Sequence, residues 1–153
     1  MTSKPISTQA LRRETPSPEA LEKFHQLLVE RARRDAERPK IQAEGEAALR
    51  RLFDVANGHS GQCEIIAKFL LGCYNGDRFP FDLTDFRAID SALFDDCLAV
   101  LKMDAAPQRE VHTFFPNGGK MFEKLVKDWG ITDHSLMRLT LKDFRERYGQ
   151  IES

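Results

Sequence analysis

The sequence is poor in the features that usually announce chemistry. It has three cysteines in 153 residues, Cys63, Cys73 and Cys97. They form no C-x-x-C pair, and none of their spacings to one another, to His59 or to His112 matches the short pairs that zinc ligands show. A disulfide scaffold and a zinc ribbon are excluded, and no metal or cofactor is expected. No apolar run approaches the roughly 20 residues that a membrane span requires. No G-x-S-x-G, H-E-x-x-H or phosphate loop occurs. Neither sign of charge dominates: 23 Lys and Arg stand against 24 Asp and Glu, a net charge of −1. That balance argues against a dedicated nucleic-acid binder while leaving room for a local basic stripe. Strand signals are nearly absent too, because no segment alternates apolar and polar residues over five positions with β-branched enrichment. The first residues carry no apolar stretch of the kind a secretory signal needs, so free thiols in a reducing cytoplasm are expected.

What the chain does have is helical periodicity. Residues 1–17 mix Ser, Thr, Pro and Arg without an apolar stripe and are expected to form a flexible arm. Ser17-Pro18-Glu19 then supplies a cap, a proline suited to the first helical turn and an early acid. Leu21, Phe24, Leu27 and Leu28 follow at spacings of three and four. The pattern gives way to a charged stretch ending at Pro39, so residues 18–40 read as a separate N-terminal basic helix. Residues 41–153 read as a single helical domain. Within it, a helix from about residue 41 to 56 carries Ala43, Ala47, Ala48, Leu52 and Val55, and Asn57-Gly58 stops it. Another helix, opened by Ser60 or Gly61, has broad apolar coverage from Ile65 to Cys73.

Pro80 makes Phe79-Pro80-Phe81 a short extended bridge. Asp82 caps a short helix, and a helix carrying Leu93, Cys97, Leu98 and Leu101 lies beyond Asp90-Ser91. Phe69, Leu93, Leu98 and Leu125 are expected to share one core. A helix from about residue 120 to 128 closes on Gly130 in the left-handed conformation, with Ile131 folded back over it. Thr140 is expected to cap the final helix, whose stripe is Leu141, Phe144 and Tyr148. The expectation is an all-α protein, a compact bundle of six or seven helices with a flexible N-terminal arm.

Each candidate for chemistry has a plainer explanation beside it. Seven aspartates lie between Asp77 and Asp104, but Asp95 and Asp96 are adjacent and point apart on a helix. Capping and solvated faces account for the others. A Cys97–His112 nucleophilic pair is disfavoured because Asp95 and Asp96 would raise the thiol pKa. Gly118-Gly119-Lys120 before a helix offers backbone N–H groups to an anion, or simply makes a turn. The loop aromatics Phe79, Phe81, Phe114 and Phe115 either anchor a partner or plug the core. Charge is unevenly spread: residues 1–40 hold nine basic and six acidic side chains, and residues 41–110 hold seven and twelve. A basic segment beside an acidic body suggests phosphate contacts through Arg31, Arg33, Arg34 and Arg38, or charges that pair locally along one helix.

Between about residues 69 and 131 the text includes Tyr74-Asn75-Gly76, Phe79-Pro80-Phe81-Asp82-Leu83, Asp90, Cys97-Leu98, Val100-Leu101, Met103-Asp104, Glu110-Val111-His112, Gly119, Phe122 and Trp129-Gly130. This string resembles an uncharacterised bacterial domain family of proteins encoded on proteobacterial plasmids and integrative elements. The resemblance implies an accessory protein of a mobile element and brings no assigned reaction. Of its residues, Glu110, His112 and Trp129 are the least needed by a cap or a turn. With Phe79 and Phe81 they are the candidate binding residues. No catalytic residue is expected. The functional expectation is a non-enzymatic helical protein-interaction module whose partner is another protein of the element or its host, one variety being an inhibitor of a host defence complex. The alternative is a nucleic-acid-binding accessory factor that uses the basic helix at 31–40.

Overall fold

The computed structural model describes residues 15–149. Among them are five α-helices, two short 3₁₀ helices and no strand. The helices are α1 (Pro18–Ala56), α2 (Gly61–Tyr74), α3 (Ser91–Asp104), α4 (Gly118–Trp129) and α5 (His134–Tyr148). The 3₁₀ segments, Leu83–Ala88 and Val111–Phe114, precede α3 and α4. The all-α expectation holds. The flexible arm expected for residues 1–17 lies, up to residue 14, outside the described residues.

One boundary differs from expectation. A break near residue 40 is replaced by a single 39-residue helix that passes through Pro39. A proline inside a helix removes one hydrogen bond and crowds the preceding turn, at about 3 kcal/mol. Ion pairs stand on either side of it: Arg33 with Glu37 at 3.6 Å, and Lys40 with Glu44 at 3.8 Å. The chain nevertheless divides into two units at this proline, between Arg38 and Pro39.

In the first unit, α1 begins where Ser17 places its hydroxyl under the Ala20 N–H, 3.1 Å away, and its carbonyl accepts from Leu21. Every described side chain before Arg38 is exposed except Glu30, which is half-buried. No other described residue covers the stripe Leu21, Phe24, Leu27, Leu28.

The second unit holds the core. The remainder of α1 buries Ala48, Leu49, Leu52, Phe53 and Ala56, while Ala43 and Ala47 face outward. Gly45 makes room for α3: a Cβ there would lie 2.4 Å from the Met103 Cβ. Arg51 closes the same contact from outside with a two-pronged ion pair to Asp96, at 3.0 and 2.8 Å. α2 starts on Ser60, whose hydroxyl accepts from the Cys63 N–H, and buries Ile66, Ala67, Phe69, Leu70 and Leu71. This is the most enclosed helix, as its broad apolar coverage implied. α4 packs against α2 through Phe122 and Leu125, and ends on Gly130 at φ 62° with Ile131 N–H returning to the Val126 carbonyl.

One core assignment needs correction. Leu93 packs against the core, half-buried, but Leu98 is 38% exposed, because the buried side of α3 is Cys97, Val100 and Met103. Of the thiols, Cys97 is buried, but Cys63 and Cys73 are only half-buried. The final helix also starts earlier than expected. Asp133 is the cap, accepting from Ser135 N–H at 2.9 Å, and Thr140 lies inside α5 with its hydroxyl donating to the Leu136 carbonyl. Both residues suit a cap, and the Asp133 carboxylate is also bonded by a distant arginine.

Candidate functional site

That arginine is Arg78, in the loop after α2. The Asn75 side chain accepts the Arg78 backbone N–H at 3.1 Å, and the Asn75 carbonyl accepts from Phe79, so the loop turns tightly. The turn aims the guanidinium at two carboxylates. It forks onto Glu123 of α4 and donates from Nε to Asp133 at 2.9 Å, with Nη2 in ion-pair contact with the same carboxylate at 2.8 Å. It also lies 4.7 Å from the Phe79 ring centroid. The Tyr74 hydroxyl donates to Glu123 at 3.1 Å, and the Arg78 carbonyl accepts from His134 N–H. Arg78 thus ties together α2, α4 and the first turn of α5. Its hydrogen bonds hold the Glu123 carboxyl below the usual range and, with that from Ser135, pull Asp133 down to about 2. Burial, with Glu123 alongside, pushes the Tyr74 phenol up. Nothing in the sequence singled Arg78 out, because its partners lie 45 and 55 residues away.

Beside this node a cleft of about 340 Å³ opens between the Phe79-Pro80-Phe81-Asp82 bridge and the Trp129-Gly130 turn. Three of the five candidate binding residues, Phe79, Phe81 and Trp129, meet here. They are not open anchors. Phe79 is only 2% exposed, and Phe81 stacks against Phe69 and Phe86 at 5.8 and 4.9 Å. Trp129 donates its indole N–H to the Ala56 carbonyl at 2.8 Å, sealing the end of α1. The cleft also has polar walls: Lys68 is paired with Glu64 at 2.8 Å, and the Asp82 carboxylate accepts from the Thr84 N–H and hydroxyl.

The other two candidates do not line that cleft. Glu110 is exposed at the start of the Val111–Phe114 segment, where its carbonyl accepts from Thr113. His112 is half-buried, edge-on to Tyr74 at 5.2 Å, with Nδ1 buried and without a hydrogen-bond partner. Its carbonyl sits where a Cβ at Gly118 would come within 1.6 Å, so α4 can enter only on a glycine.

On the second face of Phe81 lies an apolar groove of about 280 Å³, lined by Phe69, Cys73, Leu83, Phe86 and Leu101. Burial pushes the Cys73 thiol up to about 12, and does the same for Cys97. Cys63 goes the other way, its thiol lowered by the Ser60 hydroxyl 3.1 Å from its sulfur. Among the described residues no group of three or more His, Cys, Asp or Glu is placed to hold a metal ion, and no helix is long and apolar enough to cross a membrane.

The four basic candidates of the first unit are all exposed. Glu30 bridges Arg33 and Arg34 at 2.8 and 3.1 Å, and Asp35 lies 3.6 Å from Arg38. The arginines hold the Glu30 carboxyl below its usual range. Much of the basic stripe is therefore matched by carboxylates one turn away.

Exposed apolar side chains lie elsewhere. Of the thirteen large hydrophobic residues exposed among the described residues, ten fall on two helical stripes. One is Leu21 to Val29 on α1. The other runs along α5 through Leu136, Met137, Leu141, Phe144 and Tyr148. The α5 stripe was visible in the sequence as periodicity, but periodicity carries no sign of whether anything covers it.

No curated protein and no solved structure matches the chain. A family model does match, over residues 46–130. That span takes in the buried end of α1, the Arg78 loop, both 3₁₀ segments, the aromatic cleft and the Gly130 cap, and it stops before α5. On that match the protein belongs to DUF7673, a family of unknown function.

Proposed function

We propose that this protein is a non-enzymatic helical interaction module, and that α5 is the element it presents to another protein. The observation that carries this reading is the α5 stripe. Met137, Leu141, Phe144 and Tyr148 follow one another at spacings of four, three and four, and all are more than half exposed. Side chains so spaced line one helix face, the pattern by which an amphipathic helix seats in a partner's groove. Phe144 and Tyr148 are already stacked, 4.7 Å between ring centroids, which leaves less freedom to lose on binding. Arg138, Lys142, Arg145 and Arg147 outnumber Asp143 and Glu146 on the same helix. The partner is accordingly an apolar groove with an acidic rim. The Arg78–Asp133 pair fixes the first turn of α5, giving the face a defined start.

The resemblance of residues 69–131 supports a cytoplasmic accessory protein of a mobile genetic element. Occlusion of a host complex, such as one used in defence, is an action that needs no catalytic group. Nucleic-acid binding through Arg31, Arg33, Arg34 and Arg38 is the competing reading, and the ion pairs to Glu30 and Asp35 weigh against it.

Photo-crosslinking amino acids at Leu141 and Phe144, in cells that naturally make the protein, test the proposal. A discrete protein adduct from these two positions, absent when the label sits at Lys68, supports it. Submicromolar DNA or RNA binding at physiological salt, lost on charge reversal of Arg33 and Arg34 with a salt slope set by the number of phosphates contacted, would overturn it.

A further inference from the structure

α5 carries the proposed contact, and the rest of the second unit holds it at one end. From Leu136 to Tyr148 every described side chain is exposed. Among the described residues, the hydrogen bonds and ion pairs of this stretch stay inside the helix, as in Thr140 to Leu136 and Lys142 to Glu146. No apolar α5 side chain among them packs against the core, whose last member is Ile131. The helix is tied on through its first turn. His134 donates its backbone N–H to the Arg78 carbonyl at 2.9 Å, and Arg78 Nε donates to Asp133 Oδ2 at 2.9 Å. The two Asp133 oxygens have separate tasks, because Oδ1 accepts from the Ser135 N–H and hydroxyl, at 2.9 and 2.6 Å. One oxygen starts the helix, and the other fastens it.

Arg78 is itself firmly placed. Asn75 accepts its backbone N–H, its guanidinium forks onto Glu123, and its charge lies over the Phe79 ring. On the chain side, Ile131 N–H returns to the Val126 carbonyl and its side chain packs against the core. Exposed Thr132 is the one residue left between that contact and Asp133. We infer that Arg78 is a positioning residue for the α5 contact face: it sets the direction in which α5 leaves the core, and without its two bonds α5 turns about Thr132 as an intact helix. The helix survives because its cap is local, whereas its direction has no other support among the described residues. A fixed direction presents Met137, Leu141, Phe144 and Tyr148 beside one particular side of the core and leaves less freedom to lose on binding. The consequence for a partner rests on the α5 reading above; the hold on the helix does not.

Two substitutions release the helix and keep its start. Asp133→Asn leaves an oxygen for the Ser135 N–H, with similar capping strength, and turns an amide donor towards the donors of Arg78. His134→Pro removes the N–H that reaches the Arg78 carbonyl, at the first helical position, where proline is favoured. Asp133, at φ −88° and ψ 106°, already has the extended geometry that a following proline needs. Nitrogen-15 relaxation and carbon chemical shifts of the full chain with both changes are the measurement. Order parameters in α5 are expected at about 0.85 in the parent and below about 0.6 in the variant, with helical shifts kept. Low order in the parent's α5 overturns the inference, as does high order in the variant. Loss of helical shifts throughout α5 overturns it as well, since Arg78 would then fold the helix rather than aim it. With the crosslinking label at Leu141, the variant should give several-fold less partner adduct than the parent, and undiminished adduct overturns the positioning role. No adduct from the parent, with the relaxation results as expected, would sink the α5 reading and leave the hold of Arg78 on the helix standing.

Discussion

Residues 18–38 and residues 45–56 belong to one helix, and each carries an apolar stripe with helical spacing, yet they meet opposite fates. In the first stretch Leu21, Phe24 and Leu28 stand in solvent. In the second Ala48, Leu49, Leu52 and Ala56 are completely buried. The stripes differ in what lies between the large residues. The buried one is interrupted by Gly45, Ala48 and Ala56, which let α3 and the Trp129 indole approach the backbone. The exposed one is built of large side chains set among ion pairs. Spacing makes a helix amphipathic, and small residues on the apolar side mark where another element of the same chain comes close.

The comparison can be broken most directly by truncating one leucine from each stripe. Leu49→Ala should cost about 2–5 kcal/mol, read as a lower denaturant midpoint with unchanged slope, because the side chain is fully enclosed. A shift under about 1 kcal/mol would mean that the second stripe is no more covered than the first. The small-residue half of the contrast is tested by Gly45→Ala. The new methyl must displace Met103, at about 1–3 kcal/mol of overpacking, offset in part by alanine's better helix propensity. Net stabilisation would show that α3 does not press on α1 there.

Acid should distinguish the two kinds of ion pair. Asp133 has its carboxyl pulled down to about 2 by Arg78, below its ordinary value near 3.8. A carboxylate with a depressed folded-state pKa contributes stability that is present above about pH 4 and lost as pH falls towards 2. Asp133→Asn should therefore lower the midpoint at neutral pH and flatten the acid limb of stability between those values. An unchanged acid limb would show that the Arg78 node does not hold the start of α5. The smallest effect belongs to the exposed stripe: Leu28→Ala should change monomer stability by no more than about 0.5 kcal/mol. A loss comparable to Leu49→Ala would mean that the first stripe is covered within the monomer after all.

Much of the local structure was legible in the chain. Ser17, Ser60, Asp82, Asp90 and Gly130 cap helices as their residue types suggest, and the Asn57-Gly58 stop falls where expected. Errors gathered where two local signals competed or where a distant residue decided. Pro39 was read as a terminator, but the helix continues. Thr140 was read as a cap, but Asp133, held by Arg78, took that role. Leu98 fits the same periodicity as Cys97 and Leu101, and only the position of α1 and α2 settles that Cys97, Val100 and Met103 turn inward. Three of the candidate residues, Phe79, Phe81 and Trp129, meet at one cleft. Their roles there are nonetheless packing and sealing, while Glu110 and His112 lie elsewhere.

The chain by itself determined that this protein is helical and where most helices begin and end, because caps and periodicity are satisfied by residues within a few positions of one another. It also determined the charge pattern along α1, which is a property of residue order. The tertiary structure alone decided which stripes are covered and which polar groups are matched. Arg78 finds Glu123 and Asp133, Arg51 finds Asp96 and Trp129 finds the Ala56 carbonyl across 45 to 73 residues of chain. No local pattern encodes such meetings, since they follow from how several helices divide a limited volume.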